Sequence, residues 1–307
     1  MIKRFLSANA SDILSYDSEQ LKQSIKSSEG RIICSEIVVL REPYIPDITS
    51  AEVAKSFGAD IILLNGFDLF NPVIMGMYKN QSLINPMPSD SVVNDLKELI
   101  GRPVGMNLEP VDDNTKTVSE KVEIVSGRKV SVETLKRANE LGLNFICLTG
   151  NPGTGVTNQS IVNAIKLAKQ HFNGLIFAGK MHGAGVAEKV IDESAIEQFI
   201  EAGADVILVP SVGTIQGVSE EDIKNAVEKA HAAGAMVMSA IGTSQETSSV
   251  STIEYMSIKN KIAGVDIQHI GDAGPGGICS LENIYALSKA IRGQRHTVSL
   301  IARSIKR

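Results

Sequence analysis

The sequence predicts a single (β/α)8 TIM barrel, of α/β class, with a short N-terminal helical extension. Three observations carry that expectation. First, a phrase recurs along the chain: a glycine, one or two spacers, then a run of mostly apolar residues. It reads Gly58-Ala59-Asp60-Ile61-Ile62-Leu63-Leu64 and again Gly203-Ala204-Asp205-Val206-Ile207-Leu208-Val209, with looser copies from Gly142, Gly174, Gly234 and Gly264. From Gly142 onward the copies fall roughly every 30 residues, the length of a strand, a helix and two loops. Second, each glycine follows a stretch of helical periodicity and reads as the left-handed residue that ends a helix. Third, the strands are continuously apolar, so both of their faces must be covered, as in an all-parallel sheet. An open doubly wound sheet is the alternative, but no Gly-x-Gly-x-x-Gly follows the first strand and no second composition block appears.

Taken in order, residues 1–30 hold two short helical pieces, with starting signals at Ser11-Asp12 and Ser18-Glu19-Gln20. They are placed to cover the barrel floor or to contact a second subunit. The barrel spans 31–293. Its strands are expected at Ile32–Leu40, Asp60–Asn65, Pro103–Leu108, Asn144–Thr149, Leu175–Gly179, Asp205–Pro210, Met236–Ile241 and Val265–Ile270. The helices follow at Ser50–Phe57, Ser91–Ile100, Ser131–Leu141, Asn158–His171, Glu193–Ala202, Glu220–Ala233, Val250–Ile262 and Leu281–Arg292. Eight strands, each followed by a helix, is the number that closes such a barrel. Two segments interrupt the repeat on the catalytic face. Residues 66–89, rich in Pro, Asn and Met, are long enough to suggest a lid or subunit contact. Asp112–Lys129 forms a polar excursion after the third strand. Residues 294–307 are read as a basic, solvated C-terminal tail.

Composition narrows the function classes. A net charge of −5 gives no basic face for nucleic acid. No run approaches the ~18 apolar residues of a membrane span, and the N-terminus lacks an apolar signal core. Cys34, Cys147 and Cys279 are odd in number, and the first two fall inside strands, so they read as reduced core thiols of a cytoplasmic protein.

Active sites of such barrels sit at the C-terminal ends of the strands. Those ends carry Glu36, Asn65, Asn107 with Glu109, Asn151, Lys180 with His182, Gly242-Thr243-Ser244 with Glu246, and His269 with Gly271-Asp272. After the eighth strand, Gly271-Asp272-Ala273-Gly274-Pro275-Gly276-Gly277 reads as a backbone cradle for a phosphate or another anion, shared with Gly242, Thr243 and Ser244. The plainer reading is a tight turn. Lys180 reads as a Schiff-base nucleophile, as a charge anchor, or as a rim lysine. His182, two residues on, would face the same side in an extended segment. His182 and His269 read as general acids or bases, and Glu109 as the general base. Glu36, Glu109 and Asp272 form the alternative, a divalent-metal set for Mg2+ or Mn2+.

The run Thr49 to Asn65 resembles the opening βα unit of phosphoenolpyruvate mutase and isocitrate lyase barrels. The chain as a whole is more similar to an uncharacterised bacterial TIM-barrel family labelled phosphoenolpyruvate phosphonomutase-like, also labelled haloacid dehalogenase-like. Leu64-Asn65-Gly66-Phe67-Asp68-Leu69-Phe70-Asn71-Pro72 and Pro103-Val104-Gly105-Met106-Asn107-Leu108-Glu109-Pro110 carry that resemblance. There is a more distant similarity to the photosystem I biogenesis protein family. The acidic Glu-Asp pair of the mutases, the Lys-Lys-Cys-Gly-His loop of the lyases and the Asp-x-Asp motif of the dehalogenases are all absent; Gly179-Lys180-Met181-His182-Gly183 is a partial echo.

The expected function is therefore an enzyme acting on a small phosphorylated or carboxylated carbohydrate-type metabolite by lyase, aldolase or isomerase chemistry. Metal-dependent phosphomutase or lyase chemistry is the alternative within that class. A non-catalytic metabolite-binding assembly or regulatory barrel is the contrasting one. The expected partner is a small anionic metabolite, and the expected assembly a homo-oligomer.

Overall fold

Eight parallel strands hydrogen-bond in chain order, and the last closes on the first. They are β1 (Ile32–Val38), β2 (Ile61–Asn65), β3 (Val104–Leu108), β4 (Phe145–Leu148), β5 (Leu175–Gly179), β6 (Val206–Pro210), β7 (Met236–Ile241) and β8 (Ile267–Ile270). The computed structural model describes residues 2–112, 114–115 and 120–307. Two short helices, α1 (Ala10–Ser15) and α2 (Ser18–Lys26), precede the barrel. The outer ring is α3 (Ser50–Phe57), α4 (Val92–Ile100), α5 (Val132–Glu140), α6 (Asn158–His171), α7 (Glu193–Ala202), α8 (Glu220–Ala232), α9 (Val250–Ile262) and α10 (Leu281–Ala302).

Local chemistry sets the helix ends. Side-chain oxygens of Thr49, Ser131, Thr157 and Ser219 accept N–H groups in the first turns of α3, α5, α6 and α8. At the other end of α4, Gly101 adopts φ 61°, the conformation that lets the chain leave the helix and enter a strand.

The recurring glycine phrase hides a second regularity. In its copies at Gly58, Gly142, Gly203 and Gly264, the residue two positions on is Asp60, Asn144, Asp205 or Asp266. Each side chain accepts the backbone N–H of Ile33, Val104, Ile176 or Val237 respectively, at 2.9, 3.1, 3.1 and 2.8 Å. The backbone N–H of each of these four residues donates in turn to the carbonyl of the same partner, at 2.8–3.0 Å. The floor of the barrel is thus clasped in four pairs: β1 with β2, β3 with β4, β5 with β6, and β7 with β8. Asp60 is itself held by Arg292, both side chains fully buried, while Lys22 and His231 pair with Asp205 and Asp266 at 2.7 and 2.8 Å.

Inside the barrel, Cys34, Leu63, Cys147, Phe177, Leu208 and Met238 form one apolar cluster that continues downward onto Phe5, Ile13, Leu21 and Ile25. The N-terminal extension therefore plugs the barrel floor. Gly105 is required here, since a Cβ at that position would lie 2.4 Å from the Phe145 ring, which stacks on Phe177 at 4.6 Å. Cys34, Cys147 and Cys279 are free and buried, and burial pushes their thiols up, which leaves them inert.

One expectation needs correction. The basic tail is not simply solvated: after a break at Gly293, α10 continues to Ala302 with Thr297 and Leu300 buried. Arg303 then donates to the carbonyls of Ser7 and Ala8, so the tail straps the N-terminal plug. The segment over 66–89 is anchored by buried Phe67, Leu69, Val73, Ile74 and Met75, while Phe70, Leu83, Ile84 and Met87 are exposed. The polar excursion over 112–129 lies partly outside the described residues.

Candidate active site

Strand alternation delivers the first polar layer above the apolar interior. On β1, Cys34 points inward and so does Glu36; Asn107 on β3 and His269 on β8 have the same parity. The three meet. Asn107 Nδ2 donates to Glu36 Oε1 at 2.6 Å, and His269 Nε2 lies 2.9 Å from Glu36 Oε2. His269 is fully buried and Glu36 is 4% exposed, on the floor of a cavity of about 540 Å3 at the C-terminal mouth.

Asn65, Asn151, His182, Glu246 and Asp272 face the same cavity, with Gly242, Thr243, Ser244 and Gly271. Asn65 Nδ2 donates to Asp272 Oδ2 at 2.8 Å. Burial, with the neighbouring Glu36 and then Glu246 adding, pushes the Asp272 carboxyl up to about 7; the Asn65 hydrogen bond and His269 act against that rise. The Ala184 N–H donates to His182 Nδ1 at 3.0 Å, so the neutral imidazole carries its proton on Nε2. Burial pushes the His182 pKa below its ordinary value, against the pull of Glu36 and Glu109. His182 is thus a neutral donor at pH 7. Glu246 accepts the Ala273 N–H through Oε1 at 3.1 Å, while its other oxygen is buried without a partner. A Cβ at Gly271 would come within 2.6 Å of Glu246 Oε1, so a larger residue there would displace that carboxylate.

Several expected residues stand elsewhere. Lys180 is 2% exposed and pairs with Glu188 at 2.5 Å, outside the lining of the mouth. The reason is parity: Phe177 and Met181 belong to the inner cluster and Ala178 to the outer one, so Lys180 turns outward. His182 reaches the mouth because β5 has ended at Gly179 and the chain turns. Lys180 and His182 therefore do not share a side. Glu109, fully buried, does not line the cavity either: Arg128 Nη2 and Asn151 Nδ2 donate to its Oε1 at 2.7 and 2.9 Å, and the Asn151 N–H to its Oε2 at 2.9 Å. Gly274, Gly276 and Gly277 make a turn packed on other backbone. A Cβ at Gly276 would meet the Tyr44 nitrogen at 2.7 Å, and one at Gly274 the Ile278 carbonyl at 2.3 Å. Thr243 spends its hydroxyl on the Thr214 carbonyl at 2.7 Å.

A divalent metal does not fit Glu36, Glu109 and Asp272. Both oxygens of Glu36 and of Glu109 are occupied by protein donors, and Asp272 accepts from Asn65. Among the described residues, no group of three or more His, Cys, Asp or Glu side chains is arranged to hold an ion. A second hollow, beneath the barrel at Lys26, His231 and Lys261, offers less chemistry, because these groups are already bonded to Gly234, Asp266 and Ile291.

Fold and mouth define a TIM barrel with its polar groups gathered at the C-terminal end. The chain belongs to the family described as "Domain of unknown function (DUF7916)", whose model matches residues 6–307. No curated protein matches the sequence. Among solved structures it is similar to 2,3-dimethylmalate lyase, a PEP mutase/isocitrate lyase superfamily member, with 14% identity, 86% of this chain and 81% of that one covered, and a TM-score of 0.49. It is similar also to thiamine phosphate pyrophosphorylase from Pyrococcus furiosus, with 14% identity, 86% and 96% covered, and a TM-score of 0.47. No helix is long and apolar enough to cross a membrane among the described residues.

Proposed function

We propose that the protein is an enzyme of proton-transfer chemistry, an isomerase or carbon–carbon lyase acting on a small hydroxyl-bearing carbonyl metabolite. The single observation that carries this reading is Asp272, a buried carboxyl lining the mouth and hydrogen-bonded by Asn65, which burial and the neighbouring Glu36 push up to about 7. A general base is most effective when its pKa lies near the working pH. Asp272 takes a proton from carbon or hydroxyl next to the carbonyl, and His182 Nε2–H polarises the carbonyl oxygen as a neutral donor. Glu36, fixed by Asn107 and His269, keeps negative charge on the cavity floor and holds Asp272 poised. None of the described residues lining the mouth is Lys or Arg, which favours a hydroxyl-rich ligand over a phosphorylated one. The Schiff-base route draws no support from Lys180, whose amine is engaged by Glu188.

The test is solvent exchange. Small hydroxyketones, hydroxyaldehydes and 2-oxo acids are incubated with the protein in D2O and followed by proton NMR. At least one should lose a C–H signal next to its carbonyl with wild type and keep it with Asp272→Asn. Exchange that persists in the variant, or no exchange across the panel, rejects the reading.

A further inference from the structure

We propose that Glu109 is a positioning residue that acts on Asp272 through the Asn151 and Asn65 side chains, setting which end of the Asn65 amide the carboxylate meets. The inference rests on the role of Asp272 given above, and its test does not.

The chain of contacts is continuous. Glu109 presents acceptors only, and two of them meet Asn151: the backbone N–H at 2.9 Å and Nδ2 at 2.9 Å. That fixes the Asn151 amide with its nitrogen toward Glu109. The same Nδ2 donates its second hydrogen to Asn65 Oδ1 at 3.1 Å. With its oxygen so engaged, Asn65 must turn its nitrogen to Asp272 Oδ2, at 2.8 Å. An amide has one donating and one accepting end, so the orientation passes along without choice. Arg128 holds the far side of Glu109 at 2.7 Å. This line joins the end of β2 to the loops after β3, β4 and β8. The other groups around Asp272 are Glu36 from β1, Glu246 from the turn after β7, and His269 from β8.

Charge and relay predict opposite signs. Removing the negative charge of Glu109 would, through space alone, make Asp272 easier to ionise. Through the relay, Glu109→Gln leaves the two Asn151 donors with one acceptor between them, so the Asn151 amide is held less firmly with its nitrogen toward Asn65. The Asn65 amide is then freer to turn and its hydrogen bond to Asp272 weakens, which favours the protonated acid.

Carbon-13 NMR of the aspartate carboxyls in the full chain, without ligand, measures this, with Asp272 assigned by its loss in Asp272→Asn. In Glu109→Gln the Asp272 midpoint should move up by about one pH unit, the effect of losing one hydrogen bond to a charged acceptor. In Asn151→Ala it should also move up, and Glu109→Gln should add little in that background. A downward or absent shift in Glu109→Gln overturns the proposal, as does a full extra shift on top of Asn151→Ala. Should Glu109→Gln not fold, Asn151→Ala alone decides: an unmoved midpoint overturns the relay. Because the titration needs no turnover, failure of the exchange assay leaves this result standing, and the reverse also holds.

Discussion

At the scale of single residues, Asp272 is a group whose poise has a thermodynamic consequence. Its carboxyl is raised in the native state to about 7, against 3.8 for the unperturbed acid. Between those values the folded chain holds a proton that the unfolded chain has released. Folding stability attributable to this group is therefore full at low pH, falls as pH rises from about 4 to about 7, and stays lost above that. Asp272→Asn should accordingly raise stability at pH 8 by on the order of 1–4 kcal/mol, seen as a higher thermal midpoint, and change it little at pH 4. Thermal unfolding at the two pH values checks this, and an equal shift at both would refute it. The mouth was legible wherever side-chain parity could be carried along a strand: Glu36, Asn107 and His269 meet as alternation requires. Parity holds at Lys180, which it turns outward, and fails at His182, because the strand ends at Gly179 and His182 sits past a turn. For Glu109, the residue type suggested a base, but the neighbours that occupy its oxygens, Arg128 and Asn151, come from segments whose approach no local pattern encodes.

At the scale of elements, strands and helices were legible because each unit repeats the same signals: hydroxyl cap, apolar stripe, glycine stop, apolar run. What the repeat did not disclose was the task of its Asp or Asn, which reads as a spacer but accepts an N–H from the strand before. Its energetic weight depends on the cation beside it. Arg292 is wholly buried against Asp60, so Asp60→Ala leaves a guanidinium with no counter-charge and should cost about 3–5 kcal/mol. Lys22, with its side chain 20% exposed, can swing to water when Asp205 is lost, so Asp205→Ala should cost only about 1–2 kcal/mol. Urea unfolding of the two variants gives the comparison; equal losses would show that the cation's burial is irrelevant. The glycines after β8 illustrate a different limit. Close approach to a ligand and close approach to Tyr44 demand the same residue type, and composition does not distinguish the two.

At the scale of the whole molecule, the plug and the strap join the two ends of the chain to the same floor: Ser11 donates its N–H to the Arg307 carbonyl at 2.9 Å, and Arg303 reaches Ser7 and Ala8. The floor itself is clasped between β1 and β2, β3 and β4, β5 and β6, and β7 and β8, while among the described residues the joints between these pairs carry no such side-chain clasp. A ring made of four clasped couples has four joints with an added side-chain hold and four without one. That difference should govern where the ring tolerates being opened. A circularly permuted chain, its old ends joined by a flexible linker, keeps every clasp if the new ends are cut between residues 233 and 234, ahead of β7. A cut between 203 and 204 frees the segment that presents Asp205, and with it the hold on β5. The first permutant should be recovered folded and the second should not, even though both cuts fall in helix-to-strand loops of similar length on the same face.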